Sequence, residues 1–231
     1  MDVSSAVLVL QGSKLVVIFE RIDIAEDFSA TENFFAKRSL DGGATWRPPV
    51  QIGSIPIGPL ADPETGDQLP QPGFLSAAAG AGGNLYVAWE RQESPTSGGI
   101  DVARSANGGR TWTVAPLPGV SAFAFEPSIA VDQRGTVGLT WYDLRNDVPG
   151  DAALTADVWF AHSDDAAATW HETHVAGPTD LRSAPIATFN RFGEYQGLAA
   201  LPAGFAAIFT LAAPQAKDGP TDIFFARIKR S

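Results

Sequence analysis

The sequence predicts an all-β fold built of repeated four-stranded antiparallel units. Three observations carry this. First, an eight-residue pattern occurs as Ser39-Leu40-Asp41-Gly42-Gly43-Ala44-Thr45-Trp46, as Ser105-Ala106-Asn107-Gly108-Gly109-Arg110-Thr111-Trp112 and as Ser163-Asp164-Asp165-Ala166-Ala167-Ala168-Thr169-Trp170. Its interval of about 60 residues marks an array of supersecondary units. Second, short apolar runs rich in β-branched and aromatic residues precede each copy, separated by turn residues, which is strand punctuation. Third, the 231 residues include 23 Gly and 17 Pro, enough to supply many tight turns and too many for long helices.

The repeated pattern is a turn by its own chemistry. Ser39, Ser105 and Ser163, with Asp41, Asn107 and Asp165, carry short polar side chains that bond backbone amides a few residues on. Gly43 and Gly109 permit positive φ. Thr and then Trp46, Trp112 or Trp170 restart a strand, with the indole over the turn. The pattern offers no nucleophile–base pair, so its role reads as structural. It resembles the Asp-box, or bacterial neuraminidase repeat, of sialidase-like β-propellers in the exo-sialidase superfamily. The first copy matches throughout, the second has Asn107 for Asp, and the third has Ala167 for Gly, where strain is expected. The resemblance implies an all-β propeller of four-stranded antiparallel blades. It places each box between the third and fourth strands, on the face away from the active site.

Composition excludes several classes. A net charge of −10 disfavours nucleic acid or an anionic membrane as partner. Without cysteine there is neither a disulfide framework nor a zinc–thiolate site. No apolar run approaches the ~20 residues of a membrane-spanning helix. The first residues have no basic region and too short an apolar run for a signal peptide; a secreted or cell-surface location is implied by the resemblance alone.

In chain order, the first unit spans 5–52. Ala6–Leu10 and Leu15–Phe19 are its first strands, the second ending at Glu20-Arg21; a polar excursion reaches Glu32; Asn33–Lys37 leads into the box, and Trp46–Ile52 is the outer strand. A connection from Gly53 to Gly73, rich in proline and carrying Asp62, Glu64 and Asp67, fits no regular structure. The second unit, 74–118, repeats the grammar with Leu85–Trp89 followed by Glu90-Arg91. The third, 126–176, is the best preserved, with Val137–Trp141 followed by Tyr142-Asp143-Leu144-Arg145. The fourth, 194–231, lacks an outer strand. Phe19, Trp89, Trp141 and Phe209 hold one equivalent position and are expected in the core. Units of this kind bury their faces by stacking. With four of them where sialidase-like propellers usually have six, exposed outer faces are an association hazard: self-association, or further blades upstream, is expected.

Antiparallel alternation puts the ends of second strands on the rim opposite the boxes. Arg21, Arg91 and Arg145 sit there, one per unit. Two readings stand: each arginine is tied to its own acidic neighbour, or the three converge on a small anionic ligand, which the planar guanidinium suits. Glu90, Asp143 and Glu126 are candidate acids. The segment Arg191-Phe192-Gly193-Glu194-Tyr195-Gln196-Gly197 is similar to a Gly-Asp/Glu-Tyr stretch of this repeat class, which makes Tyr195 a candidate nucleophile, activated in the sialidase manner by a carboxylate. An Arg-Ile-Pro tripeptide, found near the first blade of sialidases, is absent; Arg21-Ile22-Asp23 is the nearest approach. His162, His171 and His174 lack metal-ligand spacing, and Asp62, Glu64 and Asp67 match no calcium loop, so no metal or cofactor is expected. The expected function is recognition, and in the hydrolytic version exo-glycosidase cleavage, of a glycan at the rim. The alternative is a non-catalytic propeller acting as a binding or assembly scaffold.

Overall fold

The computed structural model describes residues 5–9, 13–58, 60–66, 68–69, 75–120, 123–185, 196–213 and 219–229. The first sheet is β1 (Ser5–Val9), β2 (Leu15–Ile24), β3 (Ala30–Ser39) and β4 (Val50–Ile57). A small hairpin follows, β5 (Leu60–Ala61) with β6 (Gln68–Leu69). The second sheet is β7 (Ser76–Ala79), β8 (Leu85–Ser94), β9 (Ser97–Ser105) and β10 (Thr113–Pro116). The third is β11 (Ala124–Val131), β12 (Val137–Asp143), β13 (Thr155–Ser163) and β14 (His171–Asp180). The fourth has three strands, β15 (Gly197–Leu201), β16 (Gly204–Ala212) and β17 (Thr221–Lys229). Neighbours in sequence are neighbours in each sheet, and every pairing is antiparallel.

The strands outrun their apolar residues. β2 continues past Glu20-Arg21 to Ile24, and the expected polar excursion is the far end of a hairpin in which Ile22 faces Glu32 and Ile24 faces Ala30. Ladder hydrogen bonds satisfy the backbone whatever the side chain, so polar residues extend a strand once a partner is alongside. The outer strand β4 starts at Val50 rather than Trp46, because Pro48 and Pro49 have no N–H to give. The connection expected to be irregular from Gly53 instead holds the rest of β4 and the β5–β6 hairpin.

Among the described residues three apolar clusters form, each between consecutive sheets. Val16, Ile18 and Phe34 meet Leu85, Val87 and Trp89; Tyr86, Ala88 and Ile100 meet Leu139 and Trp141; Tyr142, Val158 and Phe160 meet Phe205, Ala207 and Phe209, with Leu60 and Leu69 of the hairpin. Each cluster joins the even face of one second strand to the odd face of the next. Trp89, Trp141 and Phe209 are buried as expected. Phe19 is half-buried and stacks on Phe35 of its own sheet at 5.4 Å.

The boxes adopt one conformation three times. Ser39 Oγ bonds Asp41 Oδ1 at 2.8 Å and receives the Gly43 N–H at 2.8 Å; Asp41 Oδ1 receives the Thr45 N–H at 2.8 Å. Ser105, Asn107, Gly109 and Thr111 repeat this at 3.1, 2.9 and 3.0 Å. Ser163, Asp165, Ala167 and Thr169 repeat it at 2.8 Å throughout. Ala166 and Ala167 do so at φ 61° and 68°, which is the expected strain. The Gly42 N–H reaches Ser13 O (2.8 Å), the Gly108 N–H reaches Gly83 O (2.9 Å), and Thr136 Oγ1 reaches Asp164 Oδ1 (2.6 Å), so each box lies beside its sheet's first turn. All boxes therefore share one rim, and the far ends of second strands share the other.

Candidate functional site

On the rim away from the boxes, the sequence Glu126-Pro127 breaks a ladder. Proline has no N–H for it, and the β11–β12 register shifts between Phe125 and Ser128. Glu126 absorbs the shift at φ 52°, a left-handed conformation that costs a non-glycine residue free energy. Its N–H, turned out of the ladder, donates to Glu90 Oε1 on β8 at 2.5 Å. Two carboxyl groups singled out in the sequence are thus brought together by one local distortion.

Glu90 is buried, and its Oε2 has no hydrogen-bond partner among the described residues. Burial pushes its carboxyl well above the usual range; the Glu126 N–H opposes this, and the charges of Glu126 and Glu32 add to it. Glu32 on β3 is raised to about 8 by burial and by its hydrogen bond to, and repulsion from, Glu20. Burial and mutual repulsion thus favour the protonated forms of Glu32 and Glu90. Glu32 and Glu90 line a small pocket of about 40 Å³ with Phe34, Trp89, Leu60, Leu75, Phe123 and Gln92. Phe34 and Trp89 stack at 4.6 Å, both buried beneath it. The arrangement is a small, largely apolar pocket lined by two carboxyl groups whose proton affinity burial raises, a pattern that marks candidate functional sites.

The three arginines lie in three different places. Arg21 is on the outer face of the first sheet, paired with Asp23 at 2.7 Å and lying over Phe35. Arg91 is between the first and second sheets, paired with Glu93 and with Asp101 at 3.0 Å. A Cβ on Gly99 would stand 3.0 Å from its Nη2, so glycine leaves room for the guanidinium. Arg145 holds Asp143 at 2.6 Å and Glu172 at 2.6 Å and lies 4.1 Å above the Trp159 ring. Each is engaged with local acids, the first of the two readings. Asp143 is fully buried under Arg145 and the Trp141 Nε1–H (2.9 Å), apart from the Glu90–Glu126 pair. Tyr195, with Arg191 and Glu194, lies outside the described residues.

The other candidates have structural partners. Asp62 and Glu64 bind Arg182 at 2.9 and 2.7 Å, fastening the β5–β6 hairpin to the turn after β14. His174 Nε2 meets buried Asp157 at 2.7 Å, and the rings of His162 and His171 stand 5.3 Å apart. Among the described residues no group of three His, Asp or Glu side chains has a metal-holding arrangement.

Sequence reasoning missed Glu20 and Glu32 as members of the cluster and Arg182 as the hairpin's anchor. The signal for Glu32 was its period-2 spacing with Phe34 and Ala36, which puts it on the buried face. No local signal marked Arg182.

The sequence matches no protein-family model and no curated protein. Among solved structures, the phage phi92 endosialidase aligns with a TM-score of 0.55 and 11% identity, over 95% of this chain and 34% of that one. A family 117 glycoside hydrolase of Zobellia galactanivorans aligns at 0.49 and 13%, over 97% and 66%. The α-L-arabinanase of Penicillium chrysogenum aligns at 0.48 and 14%, over 89% and 58%. The chain thus spans about a third of the endosialidase. The likeness is one of fold, stacked antiparallel sheets of the propeller type.

Proposed function

We propose that this chain is a glycan-active β-propeller whose rim cleft, lined by Glu32 and Glu90, performs acid–base chemistry on a glycosidic bond. The observation that carries the reading is the Glu126 N–H on Glu90 Oε1, made by a strained residue in a proline-forced bulge. Strain of that kind persists where the surroundings enforce it, and it concentrates at working sites.

The roles follow from proton affinity. Glu90, whose burial favours the protonated carboxyl, donates a proton to the glycosidic oxygen as that bond breaks. A water molecule adds at the anomeric carbon and gives its proton to an ionised carboxylate, for which Glu126 is the candidate. Ile55, Ile57 and Leu75 supply an apolar wall for a sugar face, and Gln92 a polar edge. In the sialidase version Tyr195 is the nucleophile and an anionic sugar is bound by arginine. That version requires Arg21, Arg91 or Arg145 to release the acids they hold, whereas a neutral glycan makes no such demand. The endosialidase likeness supports a propeller scaffold for either.

The test is turnover of a panel of neutral and sialic-acid glycosides by the wild type, Glu90→Gln, Glu126→Gln and Tyr195→Phe. Loss of a general acid costs 10²–10⁴-fold, and Glu90→Gln is expected to fall in that range. Wild-type turnover that Glu90→Gln leaves unchanged removes the cleft from the chemistry. A folded chain that neither cleaves nor loses glycan binding in these variants is a scaffold.

A further inference from the structure

The rim that carries the boxes holds a second cleft, of about 620 Å³, between the first and second sheets. Its charged lining is entirely basic. Lys14 comes from the β1–β2 turn, Arg38 from the end of β3, Arg47 from just past the first box and Arg110 from within the second. A protein of net charge −10 thus gathers four cations at one place. Among the described residues none of the four forms an ion pair, whereas Arg21, Arg91 and Arg145 each hold an acid.

Register puts Arg38 there. Phe34, Ala36 and Arg38 alternate along β3, and Arg38 sits opposite Val16, which packs on the second sheet. A Cβ on Gly109 would stand 3.4 Å from Arg38 Cδ, so the arginine stem runs along the glycine of the second box. The Arg38 carbonyl receives the Arg47 N–H at 2.8 Å, which holds Arg47 beside it. Arg38 Nε is buried and has no hydrogen-bond partner among the described residues. Burial, then the like charges of Arg110 and Arg47, lower the proton affinity of this guanidinium, and no acid offsets them. A buried donor without a partner costs free energy that an anion would recover.

The second box departs from the other two at this same place. Asn107 lines the cleft where the other boxes carry Asp41 and Asp165. It keeps the turn, its Oδ1 receiving the Thr111 N–H at 3.0 Å and its Nδ2 donating to Thr111 Oγ1 at 2.7 Å. Asp41 makes the equivalent turn with a carboxylate, so the amide is not needed for folding. What the amide changes is charge: it keeps a carboxylate out of the basic cleft.

We infer that this cleft binds a sugar-sized compound bearing sulfate or phosphate ester groups, with Arg38, Arg47, Arg110 and Lys14 as its anion ligands. The planar guanidinium matches the oxygens of either ester. The volume suits a ligand of one or two sugar rings rather than a bare oxyanion. The site lies on the rim away from the Glu32–Glu90 pocket and is independent of the chemistry proposed there.

Isothermal titration calorimetry of the full chain at low ionic strength tests this. The probes are fructose 1,6-bisphosphate, a trisulfated heparin disaccharide, inorganic phosphate, inorganic sulfate and an uncharged disaccharide. At least one esterified sugar should bind, more tightly than the inorganic ions, and added salt should weaken it; which ester binds identifies the source of the anion. Arg38→Gln and Asn107→Asp should each weaken binding about tenfold or more, through a lost and an opposed charge. Asn107→Asp should melt no lower than the wild type, since aspartate serves in the other boxes. Arg134→Gln, exposed on the β11–β12 turn, controls for overall charge and should bind as the wild type does. Failure of both esterified sugars to bind overturns the inference. So does binding that Arg38→Gln and Asn107→Asp leave unchanged, or that Arg134→Gln weakens as much as they do.

Discussion

The third box holds its turn with alanine where the others use glycine, and this makes a quantitative prediction. Ala166 and Ala167 sit at φ 61° and 68°, against 71° and 93° for Gly42 and Gly43 and 70° and 78° for Gly108 and Gly109. The hydrogen bonds are the same as in the other boxes, so the strain has not been relieved by opening the turn. A left-handed L-residue costs roughly 1–2 kcal/mol. Glycine returns about 0.4–1 kcal/mol through its greater freedom in the unfolded chain. Each of Ala166→Gly and Ala167→Gly should therefore stabilise by about 0.5–1 kcal/mol, and the pair by about 1–2. For a chain of this size 1 kcal/mol moves the melting temperature by roughly 2–4 °C, so the double variant should melt about 4 °C higher. The converse, Gly43→Ala, meets only ordinary contacts, the closest being Leu15 Cδ1 at 3.6 Å, and should lose about 0.5–1 kcal/mol from strain alone. Calorimetry with urea titration checks both, the urea slope staying constant. A double glycine variant no more stable than wild type would refute the reasoning, and an unchanged Gly43→Ala would refute it independently.

Glu32 and Glu90 have folded-state affinities for protons above those of the unfolded chain, so their contribution is fully present below about pH 4.3. It is lost as pH rises, for Glu32 through about 8. Stability should thus decline from pH 5 to 8, and Glu32→Gln should flatten part of that decline, as read by urea midpoints at each pH. Asp41 behaves oppositely: its carboxylate is held at about 2 by Thr45 and Ser39, so its contribution is lost as pH falls from about 4 toward 2, and Asp41→Asn should remove that acid-side loss. Tyr142 donates to Thr210 O at 2.8 Å and receives the Thr210 N–H at 3.0 Å, tying the third sheet to the fourth. Tyr142→Phe leaves both backbone groups without it and should cost about 1–3 kcal/mol, with amide exchange accelerating first in β16.

The fold was legible because its signals are local. Three boxes fix where each sheet turns between its third and fourth strands, and the runs Leu15–Phe19, Leu85–Trp89, Val137–Trp141 and Phe205–Phe209 mark the second strands. Strand ends were misjudged at Glu20-Arg21 and Glu90-Arg91, since charge at a strand's end looks like a boundary until the partner strand is known. The candidate site was half legible. Glu90 and Glu126 stood out as carboxyl residues on the rim away from the boxes, and Glu126-Pro127 carried a readable backbone conflict. Glu32 was hidden because its burial depends on the β2–β3 register and on the stacking of the second sheet. The arginines were legible as a repeated position, but which acids they hold is set by Asp23, Glu93, Asp101 and Glu172, some of them on other strands.

The central claim is that Glu90 works as a proton donor in the rim cleft. Its most direct test is the pH dependence of kcat/KM on the glycoside that the panel finds to be cleaved. The account predicts that turnover falls on the alkaline side as Glu90 loses its proton, and that Glu90→Gln is low and lacks that limb. An alkaline limb retained in Glu90→Gln, or a folded wild type that turns over no glycoside in the panel, would contradict it.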